Sequence, residues 1–176
     1  KDSDFCNKLK EYDKDSWTKL CYTCITDNNS LIDAVNEYID DSESAANKYG
    51  PIKNWDVSGV TSMNSIFENA KDFNADISNW DVSNVKNMEE LFKGAKSFNR
   101  DISGWETSEV TDMTSMFQEA TSFDADISGW ETSKVGQMTQ MFREASSFNQ
   151  SLNNWNVSGV TDMNNMFENA KGFNGI

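Results

Sequence analysis

A tryptophan recurs every twenty-five residues, at Trp55, Trp80, Trp105, Trp130 and Trp155. Methionine and phenylalanine keep the same step, at Met63, Met88, Met113, Met138 and Met163 and at Phe67, Phe92, Phe117, Phe142 and Phe167. A fixed period of roughly 20–50 residues is typical of arrays in which each repeat is one supersecondary unit packed on the next. Residues 51–176 are therefore expected to form five stacked repeats, with the tryptophan, methionine and phenylalanine columns as the core.

Two hydrophobic periods lie inside one repeat. Polar residues alternate with Trp80 and Val82, which predicts a short half-buried strand. After Val85 the apolar residues follow at spacings of three and four, which predicts a short helix; they are Met88, Leu91, Phe92 and Ala95. One strand and one helical segment per repeat is also the skeleton of a leucine-rich repeat. The predicted fold class is α/β, as a right-handed, leucine-rich-repeat-like β/α solenoid.

The repeat motif resembles that of a known family. It reads Trp-[Asp/Glu/Asn]-[Val/Thr]-Ser-x-Val-x-x-Met-x-x-[Met/Ile/Leu]-Phe-x-x-Ala-x-x-Phe-[Asn/Asp] across residues 51–176. This motif is similar to the repeat of the BspA-like surface proteins, which include bacterial surface lipoproteins. The resemblance implies a leucine-rich-repeat-like solenoid on a secreted or surface-anchored protein, with adhesion or matrix binding as its role. It implies no catalytic residues.

Residues 1–50 do not repeat and are assigned to a separate N-terminal cap. An amphipathic helix is predicted there, with Asn29 or Ser30 as its N-cap and Asp33 completing a capping box with Ser30. Its apolar face follows the helical template, with Leu31, Ala34, Val35, Tyr38 and Ile39. Because the ends of a repeat array need covering for solubility, this helical segment is expected to lie over the first repeat.

The three cysteines, Cys6, Cys21 and Cys24, all lie in this cap. Cys21 and Cys24 form a Cys-x-x-Cys pair, but the chain has no histidine or second pair to complete a zinc site. Three arrangements remain open: a disulfide from Cys6 to Cys21 or Cys24, a Cys21–Cys24 bridge, or three free thiols.

The net charge of −14 and the pI near 4.3 argue against the clustered basic face that phosphate binding needs. Nucleic acid and anionic membrane surfaces are therefore not expected partners. No apolar run approaches the roughly 18 residues of a membrane span. The first four residues lack the apolar core of a signal peptide, so we expect that none exists or that it has been removed.

Acidic residues follow the repeated tryptophan, at Asp56, Asp81, Glu106 and Glu131, with Asn156 in the fifth repeat. If the tryptophans point inward, these side chains form an outward column on a strand face, flanked by Ser83, Ser108 and Ser133. Two interpretations stay open: a calcium-binding face, since Ca²⁺ prefers carboxylate oxygens, or a solvated acidic face. The column carries near-identical carboxylates rather than the two separated pKa values of general acid–base catalysis. With no histidine, phosphate loop or nucleophile elbow, we expect no enzyme and no cofactor other than calcium.

The function predicted from these features is a non-enzymatic extracellular or cell-surface adhesion module that presents its acidic face to a protein or glycan. The alternative is a structural subunit that stacks end to end into a filament or surface layer. Its assembly edge would be Met163, Phe167, Phe173 and Ile176, unless a longer natural chain covers that end. Asn-x-Ser/Thr acceptors for glycosylation occur at Asn28, Asn149 and Asn156.

Overall fold

The structure is a computed structural model that describes residues 25–174. Two α-helices open it, α1 (Asn28–Asp40) and α2 (Ser42–Tyr49), followed by a 3₁₀ turn at Ile52–Asn54. The rest of the described chain consists of turns and isolated parallel bridges, which join equivalent positions of successive repeats: Ser62 to Asn87, Asn87 to Asp112, Asp112 to Gln137 and Gln137 to Asp162. Every bridge is therefore in register with the twenty-five-residue period.

Helix α1 is confirmed, but its predicted start is wrong. The N-cap is Asp27, whose carboxylate accepts a hydrogen bond from the Ser30 backbone N–H at 2.9 Å, while the Asp27 N–H donates to Ser30 Oγ at 3.1 Å. Ser30 is thus the third helical residue of the capping box and not its cap. The buried face consists of Leu31, Ala34 and Val35. Helix α2 begins at its own cap, Asp41, and ends at Gly50, whose φ of 78° favours glycine.

The two helices pack on the first repeat. The Tyr38 ring lies 6.0 Å from the Trp55 ring and 6.3 Å from the Phe73 ring, and the Tyr49 ring lies 5.6 Å from Trp55. All three contacts are edge-on, a favoured arrangement for aromatic rings. The helical segment therefore covers the end of the repeat array at which Trp55 lies.

The helical segment also supplies hydrogen-bond acceptors that a preceding repeat would otherwise provide. Trp55 Nε1 donates to the Gly50 carbonyl at 3.0 Å, and the Thr61 N–H donates to Asn28 Oδ1 at 2.9 Å. One repeat later, the Lys86 N–H, which is equivalent to that of Thr61, donates instead to the Thr61 carbonyl at 2.9 Å. The Asn28 side chain thus supplies the acceptor that a backbone carbonyl of the preceding repeat supplies elsewhere in the array.

The predicted right-handed, leucine-rich-repeat-like β/α solenoid is wrong, because residues 25–174 contain no β-strand and no sheet. Around Trp80 the backbone turns twice: the Trp80 N–H donates to the Ile77 carbonyl at 3.1 Å, and the Val85 N–H donates to the Val82 carbonyl at 2.9 Å. Turns close such three-residue bonds, whereas an extended strand cannot. The alternation of Trp80 and Val82 with polar residues therefore reflects two successive turns.

The predicted helix within each repeat is also wrong. Glu90 and Gly94 have φ values of 55° and 68°, in the left-handed region that a right-handed helix excludes. Their equivalents share this conformation: Ser65, Ser115, Gln140 and Asn165 for Glu90, and Asn69, Glu119, Glu144 and Asn169 for Gly94. Two residues with positive φ, four positions apart in each repeat, keep the apolar spacing of three and four while replacing the helix with a run of turns.

The left-handed residues orient alternate N–H groups toward the following repeat. The N–H groups of Met88, Glu90, Phe92 and Gly94 donate to the carbonyls of Asp112, Thr114, Met116 and Gln118, at 2.7–2.9 Å. The same four bonds leave the first, third and fourth repeats wherever another repeat follows. These bonds offset the cost of the left-handed residues, about 1–2 kcal/mol for each non-glycine.

The predicted core columns are confirmed. Trp80, Met88 and Phe92 are at most 3% exposed, and equivalent rings stack with centroids 5.4 Å apart for Phe67 and Phe92 and 6.5 Å apart for Trp130 and Trp155. Such stacked aromatic pairs contribute beyond the apolar area that they bury. Each repeat is therefore covered on both sides by its neighbours, except at the ends.

Candidate functional site

The acidic column predicted from sequence is an exposed row held by serines. The row comprises Asp56, Asp81, Glu106, Glu131 and Asn156, all exposed. At four of these five positions the side-chain oxygen accepts the backbone N–H of the serine two residues later, at 3.0–3.1 Å; the pairs are Asp56–Ser58, Asp81–Ser83, Glu131–Ser133 and Asn156–Ser158. Ser83 and Ser133, which the sequence placed beside the column, therefore orient the side chains of Asp81 and Glu131.

A second acidic row lies on the other side of the tryptophan in sequence. Asp76, Asp101 and Asp126 each accept the backbone N–H of the serine two residues later, at 2.9–3.1 Å. Asp76 and Asp101 also accept the serine hydroxyl at 2.7 Å. Each side-chain oxygen closes a local turn of the Asp-x-Ser type. Each repeat from the second to the fourth thus contributes one acidic residue to each of two rows.

The serine bonds favour the charged form of these carboxylates. Hydrogen bonds from Ser83 hold the pKa of Asp81 below its usual value, chiefly through the hydroxyl and then through the backbone N–H. Ser103 lowers the pKa of Asp101 in the same way, against the repulsion of Asp126 and Asp76. The Asp81 and Asp101 carboxylates therefore stay ionised at neutral pH.

The charges elsewhere on the repeats are mixed and paired. Lys93 Nζ lies 3.1 Å from Glu68 Oε1, and Arg143 Nε lies 2.7 Å from Glu168 Oε2, so each ion pair joins two successive repeats. On the side of the acidic rows, Lys53 and Arg100 lie near enough to Asp76 to lower its pKa, after the larger effect of Ser78.

The structure gives the calcium interpretation no support. No group of three or more histidine, cysteine, aspartate or glutamate side chains within residues 25–174 has an arrangement that could hold a metal ion. Apart from Glu106, each carboxylate of the rows accepts a hydrogen bond from a serine of its own repeat. Ca²⁺ requires 6–8 oxygen ligands, and this geometry does not gather them.

The predicted assembly edge lies on the last repeat and is only partly covered. Met163 is 39% exposed, whereas its equivalent Met138 is completely buried. Phe167 and Phe173 are half-buried, with ring centroids 4.1 Å apart. Val157 was missed by the sequence analysis and is 43% exposed. Within residues 25–174, no segment covers this end as α1 and α2 cover the first repeat.

Several predicted residues lie outside the described residues or remain untested. Cys6, Cys21, Cys24 and Ile176 belong to the first group, so the predicted disulfide and the last residue of the assembly edge have no structural description. The glycosylation acceptors are described, and each uses its Oδ1 in a hydrogen bond: Asn28 to Thr61, Asn149 to Asn174 and Asn156 to Ser158. Glycosylation and the domain boundary at residue 50 stay predictions.

A ladder of side chains between repeats was also missed. Asn74 Oδ1 accepts the Asn99 N–H at 3.1 Å, and Asn99 Oδ1 accepts the Asp124 N–H at 2.9 Å. Asp124 continues the ladder to Asn149, which continues it to Asn174, at 2.8 Å in both cases. The signal was present in the sequence, because every repeat carries asparagine or aspartate after its second phenylalanine.

Neither of the two helices in the described part of the chain is long and apolar enough to cross a membrane. No curated protein matches this chain, and no solved structure does. One family model, described as Mycoplasma protein of unknown function, DUF285, matches residues 34–135 and 102–176. Together the two matches span residues 34–176, which is more than half of the chain and includes all five tryptophan repeats. The chain therefore belongs to the DUF285 family.

Proposed function

We propose that this protein is a non-enzymatic adhesion module of the extracellular space or cell surface, and that its two acidic rows bind the partner. The observation that carries the proposal is the repeated Asp-x-Ser turn, seen for example at Asp81 and Ser83, where the hydroxyl donates at 2.6 Å. The resemblance of the repeat motif to BspA-like surface proteins supports a surface role. The surface that binds the partner is formed by rows of turns and not by the strand face that the sequence predicts.

Fixed carboxylates favour binding because less side-chain entropy is lost when a partner docks. Equivalent rings of the first two repeats lie 5.4 Å and 6.2 Å apart, so the acidic residues recur on a short repeat step, which suits a partner with several closely spaced cations. The partner chemistry is therefore a surface rich in lysine and arginine on an extracellular protein, or a glycan that carries amines. The net charge of −14 attracts such partners at long range.

The test compares two triple variants with the same change in net charge. The row variant carries Asp81→Asn, Glu106→Gln and Glu131→Gln, whose amide oxygens at positions 81 and 131 can still accept the serine N–H bonds. The control variant carries Asp33→Asn, Asp40→Asn and Asp72→Asn, which are exposed and lie outside both rows. Binding is measured to immobilised polylysine and to fibronectin, laminin and collagen, over a series of salt concentrations.

We expect the row variant to lose at least about tenfold in affinity and the control variant to change less than about twofold, since closely placed charges couple more strongly than distant ones. Equal losses in both variants would show that only net charge matters and would overturn the proposal. So would the absence of binding to every immobilised partner.

The end-to-end structural subunit remains a second candidate because of the exposed Met163 and Val157. Light scattering of the native protein tests it, since a subunit of this kind grows into large particles. A steady 19.9 kDa species would exclude self-assembly. The helices over the first repeat oppose it, because a second copy would have to dock where Tyr38 and Tyr49 already contact Trp55.

A further inference from the structure

A groove of about 640 Å³ lies between the helical segment and the first repeat. One wall is formed by Tyr38 and Ile39 at the end of α1 and by Ser42 at the start of α2, and the other by the segment 69–75. Small molecules bind to proteins in clefts of roughly 300–1,000 Å³. No residue of the acidic rows lines this groove, so it is a separate candidate site.

Two backbone N–H groups in the groove lack the partner that their equivalents have in the second repeat. The Ser97 N–H donates to the Lys71 carbonyl at 3.0 Å, and the Asn99 N–H donates to Asn74 Oδ1 at 3.1 Å. The equivalent donors in the first repeat are the N–H groups of Asp72 and Asn74, which bond to no residue that the structure describes. The groove therefore holds two donors that a ligand can use.

The helical segment leaves these donors open because its own backbone is helical. The residues twenty-five positions before Lys71 and Asn74 are Ala46 and Tyr49, which belong to α2. Carbonyls of an α-helix accept bonds within the helix, as in the bond from the Gly50 N–H to the Ala46 carbonyl at 3.0 Å. The helical segment thus replaces other acceptors of a preceding repeat but not these two.

The later repeats show which acceptor suits these donors. Lys71 offers a backbone amide oxygen, and Asn74 offers a side-chain amide oxygen. One repeat further, the Asp124 N–H again takes a side-chain amide oxygen, that of Asn99, at 2.9 Å. A ligand that fills the same role in the groove therefore carries amide oxygens.

The side chains around the groove indicate what else the ligand carries. The hydroxyl groups of Tyr38 and Ser42 and the side-chain amide of Asn69 make no hydrogen bond within residues 25–174. Hydroxyl and carboxamide groups both donate and accept, which suits a ligand with several hydroxyl groups. The apolar surface comes from the Tyr38 and Phe73 rings and from Ile39, which is 46% exposed.

The charges at the groove favour a neutral ligand. Lys71 and Asp72 are the charged residues among those that line it, so the lining carries one positive and one negative charge. A ligand with amide oxygens, several hydroxyl groups and no net charge is an N-acetylated sugar. A peptide also carries amide oxygens, but it lacks the closely spaced hydroxyl groups that match Tyr38, Ser42 and Asn69.

We propose that this groove binds a neutral saccharide that carries acetamido groups. The acetamido oxygens accept the N–H groups of Asp72 and Asn74, and the sugar ring packs against Tyr38. The sugar hydroxyl groups bond to the side chains of Ser42 and Asn69. This inference does not depend on the acidic rows.

The probe is N,N′-diacetylchitobiose, a neutral disaccharide with two acetamido groups. Cellobiose, which carries hydroxyl groups in their place, is the control sugar. Amide NMR spectra of the 176-residue protein follow the signals of Asp72 and Asn74 as each sugar is added. We expect saturable shifts of both signals at millimolar diacetylchitobiose and at least about fivefold weaker binding of cellobiose, because cellobiose lacks the amide oxygens.

Two pairs of variants locate the site. Tyr38→Phe removes one hydroxyl and should weaken binding at least about threefold. Its matched control, Tyr49→Phe, removes a hydroxyl that donates to Glu37 and does not line the groove, so binding should be unchanged. Ser42→Trp fills the groove with a bulky side chain and should abolish binding. Asn47→Trp, an exposed position of the same helix outside the groove, should leave it intact.

Four results would overturn the inference. The first is the absence of shifts at Asp72 and Asn74 with millimolar diacetylchitobiose, and the second is equal binding of cellobiose. The third is an equal loss of binding in Ser42→Trp and Asn47→Trp. The fourth is tighter binding of the acetylated tetrapeptide 71–74 than of the disaccharide, because the occupant would then be a polypeptide.

Discussion

Trp80 Nε1 donates to the backbone carbonyl of Ile52, 2.9 Å away and 28 residues earlier in the chain. The same bond joins Trp105 to Ile77 and Trp130 to Ile102. The tryptophan ring is therefore both a core residue and a hydrogen-bonded link between repeats. A buried indole N–H without a partner is costly, so this link restrains each repeat to one position on its neighbour.

Trp130→Phe should reduce the free energy of unfolding by about 2 kcal/mol or more, because it removes the bond to Ile102 and leaves space in a core position that is 3% exposed. Urea unfolding followed by circular dichroism measures the change. Met141→Leu is the control, since a volume-conserving apolar exchange costs less than about 1.5 kcal/mol. Equal costs for the two variants would contradict a role for the indole N–H.

Gly94→Val should destabilise the protein by about 2 kcal/mol or more. Gly94 has φ of 68°, where a β-branched side chain is strained, and an added Cβ would lie 2.6 Å from Asn69 Oδ1. Gly94→Asn should cost much less, since Asn169 adopts φ of 58° at the equivalent position. Gly104→Val is the control, because nothing lies within 4 Å of a Cβ there. Thermal unfolding of the three variants measures how far each change lowers the melting temperature. Similar melting temperatures for Gly94→Val and Gly104→Val would refute the prediction.

Asn99→Ala should cost about 0.5–1.5 kcal/mol and speed the exchange of the Asp124 amide, because the side chain accepts that N–H in the ladder. Asn79→Ala is the matched control, since Asn79 is exposed and makes no hydrogen bond to another described residue. Urea unfolding and amide exchange give the two readouts. An unchanged exchange rate at Asp124 would show that the ladder does not form in solution.

Ser83→Ala should raise the pKa of Asp81 toward its usual value, because Ser83 supplies the hydroxyl bond that lowers it most. A carboxyl group with a lowered folded pKa stabilises the protein above its unfolded pKa and loses that contribution as pH falls through the folded pKa. The difference in stability between wild type and Ser83→Ala should therefore shrink toward acidic pH. Titration of the Asp81 carboxyl carbon by NMR measures the pKa.

Ser97→Ala is the control for this titration, because Ser97 lies in the sequence outside the Asp-x-Ser turns. The Asp81 pKa should be the same in this variant and in wild type. A Ser83→Ala protein whose Asp81 pKa remains at the wild-type value would mean that the hydroxyl bond does not hold the carboxylate.

The sequence predicted which residues form the first acidic row but not the backbone geometry that holds them. The repeated step placed Asp81 and Glu131 in one row, but the hydrogen bonds that the following serines donate to them were not predicted. Their geometry was not predictable in the same way, because a strand and two successive turns both place alternate residues on opposite sides. The row of N–H donors formed by Met88, Glu90, Phe92 and Gly94 had no sequence signal of its own, since backbone N–H groups are common to all residues except proline.

The sequence by itself determined the twenty-five-residue register, helix α1 and the identity of the core columns. Each of these depends on which side chains are apolar and where they recur. Only the tertiary structure decided the backbone conformation of the repeat. Left-handed residues such as Glu90 are unfavourable in an isolated segment, and they become favourable when the next repeat supplies a carbonyl, here that of Thr114 at 2.8 Å. Spacings of three and four are shared by a helix and by this run of turns, so hydrogen bonds between repeats select the turns.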